Sequence, residues 1–287
     1  VADDAEKRLH RARITDGHRF RLKDFATDAC GGLDKTAGQA LLEAGVRRLE
    51  ALQEKLYAQG THALLCVFQA MDAAGKDGTI KHVMSGVNPQ GVQVTSFKAP
   101  GPTEREHDFL WRIHMAAPSS GRIGIFNRSH YEDVLVARVH PESLGREVGE
   151  KFWRHRLEDI AAFERHLVHE GTLVLKFFLH VSKQEQKRRF LERLDDPAKH
   201  WKFSDADLVA RQSWDAYMDA YEAAIAATST AHAPWFVIPA DHKWYAHLLV
   251  VEAILAALDA LDPRLPSTPP ARLAAIVQAR QALLAEG

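Results

Sequence analysis

One run of the chain combines lysine, aspartate and glycine at a spacing that suits anion chemistry: Gln69-Ala70-Met71-Asp72-Ala73-Ala74-Gly75-Lys76-Asp77-Gly78-Thr79. It follows directly on Leu64-Leu65-Cys66-Val67-Phe68, an unbroken apolar stretch of the kind that forms a buried parallel strand. A helical pattern begins near Thr79. Strand, small-residue turn, lysine and helix is the arrangement of a phosphate-binding loop. Backbone N–H groups of Ala74, Gly75, Asp77, Gly78 and Thr79 and the helix N-terminus would face an anion, and Lys76 adds a movable positive charge. The match to G-x-x-x-x-G-K-[ST] is incomplete. Ala70 replaces the first glycine, and Asp77 stands where a Mg2+-binding Ser or Thr is expected. A chance turn is the competing explanation. Asp72 weighs against it, because a carboxylate beside bound phosphate is repelled unless a cation lies between them, which points to Mg2+. As a helix cap, Asp72 would need no metal.

Two further stretches carry polar chemistry. Asn127-Arg128-Ser129-His130-Tyr131-Glu132-Asp133 follows the apolar GRIGIF segment, where ligands bind at the ends of α/β strands. The carboxylates available there are Glu132 and Asp133, since Asn127 carries no charge. Ser129 and Glu132 also fit a capping box, which leaves Arg128 unexplained. From Lys183 to Lys202 there are seven Lys/Arg against four acids. A basic helix is commonly a solvated face. Its place after a sheet strand fits instead a mobile lid bearing Lys183, Arg189, Arg193, Lys199 and Lys202.

The chain of 287 residues is long enough for a sizeable core, and its 37 Lys/Arg against 38 Asp/Glu give no global basic field of the nucleic-acid-binding kind. The sixteen histidines show no zinc spacing, and two cysteines imply no disulfide framework. With no secretory leader pattern and no membrane-spanning run, the expectation is a soluble cytoplasmic protein.

Five strands and their helices must position these groups. Residues 1–34 read as an extended arm, and Lys35 to Tyr57 as an amphipathic helix with Leu42, Val46, Leu49, Leu52 and Leu56 near one face. Strands are expected at Leu64–Phe68, Val92–Phe97, Gly121–Phe126, Thr172–Val181 and Trp235–Ile238. A capping box at Thr103/Glu106 should open a helix to Met115, and further helices are expected at Glu147–His169, Ser204–Thr228, Asp241–Leu261 and Ala271–Ala285. Alternating strands and helices argue a three-layer α/β fold with a mainly parallel five-stranded sheet. The expected organisation is an arm (1–34), a phosphate-loop α/β domain (35–265, lid about 183–203) and a C-terminal helix (266–287).

The Gln69–Gly78 run, Phe126-Asn127-Arg128-Ser129-His130-Tyr131-Glu132-Asp133-Val134-Leu135, the Ser182–Phe190 run, Pro234-Trp235 and Asp241-His242-Lys243 together resemble the polyphosphate kinase 2 family. The similarity spans roughly residues 20 to 265. The resemblance implies a P-loop kinase-like fold with a helical lid. It also implies Mg2+-dependent phosphoryl transfer, Mn2+ substituting, between inorganic polyphosphate and adenine and, as an extension, guanine nucleotides. It implies that Asp72 and Lys76 act at the transferred phosphate, and that Arg128 and Arg189 neutralise phosphate charge. Many members have Asp where this chain has Asn127; the sequence Asn-Arg-Ser-His-Tyr-Glu-Asp resembles the subgroup acting on nucleoside mono- and diphosphates. Metal charge balance then rests on Asp72, with Glu132 or Asp133. The expected partners include further copies of the chain, a homo-oligomer, but neither nucleic acid nor membrane.

Elementary electrostatics agrees. Polyphosphate is a line of closely spaced negative charges without a base, so its site needs several cations along a groove. Lys76, Lys81, Lys98, Arg128 and the lid would make that groove. No covalent nucleophile is required. An ATP-dependent small-molecule kinase and a non-catalytic polyanion-binding protein are the competing classes.

Overall fold

The computed structural model describes residues 2–286; Val1 and Gly287, the outermost residues of the expected arm and C-terminal helix, lie outside them. The apolar stretch before the phosphate loop is a strand, β2 (Ala63–Gln69), in which every residue is buried. It lies between two parallel neighbours, β4 (Ile123–Asn127) and β5 (Thr172–His180), with Val67 beside Phe126 and Lys176. β3 (Val92–Ser96) extends one side and β6 (Trp235–Pro239) the other, both parallel. A two-residue strand, β1 (Arg13–Ile14), adds antiparallel to β6, so the order is β1-β6-β5-β2-β4-β3. The sheet therefore has six strands rather than five. After β2 the chain builds one side of the sheet, then crosses to the other, and the C-terminal ends of β2, β4, β5 and β6 share one edge. That edge, at the crossing point, is where an open α/β sheet binds ligands.

Helices cover both faces. Lys35–Gln59 starts at Asp34, whose carboxylate accepts the Ala37 N–H at 2.8 Å, and ends at left-handed Gly60. It packs on the helix Lys243–Leu261 so closely that a Cβ at Gly38 would overlap the Trp244 ring. The Lys243–Leu261 helix is long and apolar enough to cross a membrane, yet most of its residues are buried in the core of this fold. Burial all round accounts for its composition.

Three expectations change. The first residues are not an extended arm: Ala2–Ala12 is a helix whose Leu9 and Ala12 are buried, tied down by a buried ion pair from Arg8 to Glu252. The helix expected from Thr103 to Met115 is two short ones, Pro102–Arg105 and Trp111–Met115. Asp108 interrupts it by accepting the Leu110 N–H (2.9 Å), and the carboxylate closing the first turn is Glu104, on the Gly101 N–H (2.6 Å). Ser204–Thr228 likewise divides at Ser213 into Asp205–Gln212 and Trp214–Thr228. The last helix, Pro270–Ala285, has no buried residue.

Candidate active site

β2 delivers the loop Ala70–Gly75 to the binding edge, and the helix Lys76–Val83 starts at once behind it. Two residues turn this chain sharply: Ala73 has φ +60° and Gly75 φ +109°. Such values suit glycine and cost a residue with a side chain free energy, so the loop is held bent by its surroundings. Above it opens a cleft of about 980 Å3.

Fourteen of the expected residues line this cleft: Asp72, Ala74, Gly75, Lys76, Asp77, Gly78, Thr79, Lys98, Asn127, Arg128, Arg189, Arg193, Lys199 and Lys202. The half-buried Lys76 ammonium donates to the Ala70 carbonyl at 2.7 Å. Burial lowers its pKa from the usual lysine value, and the nearby Asp72 carboxylate pulls it back up. Arg128, itself at φ +61°, donates to Asp72 Oδ1 at 3.1 Å and faces Glu132 at 4.0 Å. Glu132 lies beneath the lining. Burial raises its pKa, and Arg128 and Lys76 oppose that rise. Asn127, at the end of β4, donates its amide to Asp77 Oδ1 at 2.7 Å. The carboxylate missing at the strand end is thus matched by one on the facing helix.

Other expected residues are placed elsewhere. Asp133 is drawn away from Asp72: its carboxylate pairs with Arg156 at 3.3 Å, and burial raises its pKa. It is not among the cleft-lining residues, and Arg156 already pairs with the carboxylate that was expected to join Asp72 around a metal. Ser129 caps Tyr131 rather than Glu132, its hydroxyl accepting the Tyr131 N–H at 3.1 Å in a short 3-10 turn, His130–Asp133. Lys81 also lies outside the lining, and Lys183 lies over the Trp214 ring, 6.0 Å from its centre. Arg189 reaches the cleft wall, but its guanidinium is almost wholly buried and bonded to protein.

The cleft also contains residues the sequence did not single out: His82, Lys243, His247, Trp201 and Asp207. Lys243 belongs to the Asp241-His242-Lys243 run, which was the available signal. His82 and His247 stack with ring centres 4.6 Å apart, and burial pushes the His247 imidazole down to about 4. Trp201 is 78% exposed beside the basic side chains. No spacing in the chain announces these placements, which depend on the crossing of separate elements.

Asp72 and Asp77 offer hard carboxylate oxygens in the cleft, the donor type that Mg2+ prefers. No group of three or more His, Cys, Asp or Glu side chains that could hold a metal occurs among the described residues.

Comparison with known proteins identifies the family and the fold. The sequence model of the polyphosphate kinase 2 family matches residues 32–266. An ADP-polyphosphate phosphotransferase of Rhodopseudomonas palustris is 53% identical over 251 residues, covering 85% of this chain and 87% of the relative. An AMP/ADP-polyphosphate phosphotransferase of Meiothermus ruber is 50% identical over 261 residues, covering 90% and 96%. The crystal structure of polyphosphate kinase 2 from Arthrobacter aurescens superposes with a TM-score of 0.87 at 44% identity, over 96% of this chain and 95% of that one.

Proposed function

The chain belongs to the polyphosphate kinase 2 family, and from that premise we propose that it transfers a phosphoryl group between inorganic polyphosphate and nucleoside mono- and diphosphates. The observation that carries this reading is the line of cations along one cleft. Lys76, Lys98, Arg128, Arg193, Lys199 and Lys202 all line it. Such a line matches a linear polyanion, and phosphoryl transfer needs mainly positioning and charge stabilisation.

In this reading Lys76 contacts the transferred group, and the loop amides with the N-terminus of Lys76–Val83 cradle its oxygens. Arg128 draws on its contact with Asp72 to stay beside them. Mg2+ would be held by Asp72, with Asp77 on the same side, and would neutralise charge between adjacent phosphates. Asn127 orients Asp77 through its amide. Closure over the phosphates is assigned to the segment after the basic helix, Pro197–Phe203, which carries exposed Lys199 and Lys202.

A phosphotransfer assay with polyphosphate, Mg2+ and AMP, ADP, GMP or GDP tests the proposal. ATP as donor to small-molecule acceptors is the control. Formation of nucleoside di- or triphosphate that depends on polyphosphate is expected. Turnover with ATP alone would make this an ordinary kinase, and no turnover with either donor would leave a binding protein.

A further inference from the structure

We infer that Gln186 and Arg189 are positioning residues that set the phosphate loop by its backbone, and that Arg189 does not itself touch the transferred phosphoryl group. The inference rests on reading the loop as the phosphate site. Three successive loop carbonyls accept hydrogen bonds from one face of the helix Lys183–Leu194. Gln186 Nε2 donates to the Asp72 carbonyl at 2.9 Å, and Arg189 Nη1 donates to those of Ala73 (3.2 Å) and Ala74 (2.6 Å). The two side chains are three residues apart, so they project from the same side of the helix.

The rest of the guanidinium is also committed. Nη2 donates to the carbonyls of Ala240 (2.6 Å) and Asp241 (3.2 Å), just after β6, and Nε donates to Glu185 at 2.7 Å. Arginine has five N–H donors, and five acceptors surround them here. A phosphoryl oxygen would have to displace one. Gln186 is fully buried, and its own carbonyl accepts from Arg211 at 2.8 Å, which fixes which end of the amide faces the loop. The Ser182 N–H, at the start of the helix, donates to Asp241 Oδ1 at 2.8 Å. The clamp thus joins the turns that follow β2, β5 and β6.

Carbonyl direction is amide direction. All peptide bonds among the described residues are trans, so a carbonyl held toward the helix sends the next residue's N–H the opposite way. Holding the Ala74 carbonyl aims the Gly75 N–H away from the helix, while the Ala74 N–H turns back to Met71 at 3.2 Å. The clamp also accounts for the left-handed Ala73, a conformation that persists only where neighbours enforce it.

Arg189→Lys keeps the charge but loses the fork, and Gln186→Leu removes a neutral donor that no substrate can reach. Each is measured for kcat and KM in phosphotransfer, for affinity toward tripolyphosphate and ADP by calorimetry, and for thermal midpoint. Gln186→Leu should lower kcat about 10-fold and weaken tripolyphosphate binding several-fold with little change in midpoint. Arg189→Lys should be no better than Arg189→Gln. Near wild-type turnover for Arg189→Lys beside an inactive Arg189→Gln would make Arg189 a charge contact and overturn the inference. So would Gln186→Leu kinetics and binding equal to wild type, a result available even where an Arg189 variant fails to fold. Tripolyphosphate affinity reads the clamp directly, so a wild-type protein that binds but does not turn over would sink the proposed function and not this one.

Discussion

Two lysines of this protein lie close to the same sheet and are used in opposite ways. Lys176, on β5, is fully buried and fully occupied: its ammonium donates to Glu164 at 2.5 Å, to the Thr228 carbonyl at 2.7 Å and to Tyr131 at 3.3 Å. Lys76, at the end of β2, has one protein acceptor, the Ala70 carbonyl, and opens on the cleft. Burial lowers the pKa of both. An ammonium has three donors, so the first is saturated by the protein and the second keeps capacity for a ligand. The same division separates the arginines: Arg189 is saturated by four carbonyls and Glu185, whereas Arg128 hydrogen-bonds Asp72, lies 4.0 Å from Glu132 and is 42% exposed in the cleft. In this fold the two kinds of cation are told apart by their unused donors, not by their charge.

The comparison breaks most visibly at Lys176. Lys176→Met leaves Glu164 as an unpaired buried charge, a defect that typically costs about 3–5 kcal/mol. Chemical denaturation should show that loss, and combining it with Glu164→Leu should recover most of it. A single variant as stable as wild type would mean the pair is not a closed structural unit. Lys76→Ala should do the reverse. Its thermal midpoint should stay near wild type while turnover falls by about 2.7–4 kcal/mol of barrier, the usual loss for one electrostatic contact to a transition state. Turnover within a few-fold of wild type would remove Lys76 from the mechanism.

Two histidines can be assigned to a side of the divide by pH. Burial pushes His180 and His247 down to about 4. Between about 6.5 and 4 the unfolded chain therefore holds more protons than the folded one. Their stabilisation is complete above pH ~6.5 and is lost as the pH falls toward 4, by at most ~3 kcal/mol each. Denaturation midpoints measured from pH 7 to 4.5 should fall, and His180→Asn should flatten the fall. An unchanged slope would show that the imidazole charges freely in the fold. The smallest effect is expected at the exposed lysines. Lys199→Ala and Lys202→Ala should each raise KM for polyphosphate only slightly, an effect that added salt erases, with kcat retained. A loss of kcat would move them from the rim to the chemistry.

What was legible in the sequence follows the range of the forces involved. β2 and its loop could be read because five consecutive apolar residues and a Gly-Lys turn are local signals, and β5 and β6 carry similar apolar runs, whereas β3 shows only the alternation of Val92 and Val94 with polar residues. β1 could not, since two residues carry no periodicity and their register depends on Trp235 and Phe236. The first helix was hidden because its sequence is mostly charged and its anchor, Glu252, is 244 residues from Arg8. The cleft residues were found where a motif names them. Arg189 was found as a basic residue, but not for what it holds, because its partners are carbonyls, whose directions no residue type reveals. The different surroundings of Glu132 and Asp133 were not legible, because neighbours in sequence on a 3-10 turn meet different partners, Arg128 for one and Arg156 for the other.

The antiparallel pairing of Arg13–Ile14 with Trp235–Phe236 has a consequence for how the molecule is made. The parallel strands can pair as they leave the ribosome, but this edge of the sheet stays open until some 220 further residues have been synthesised, on the order of 10–45 s at ordinary elongation rates. During that interval the early segment has neither its strand partner nor the acid that Arg8 will bury. The early segment is therefore completed only after the parallel strands that follow it, and it waits unpaired until β6 emerges.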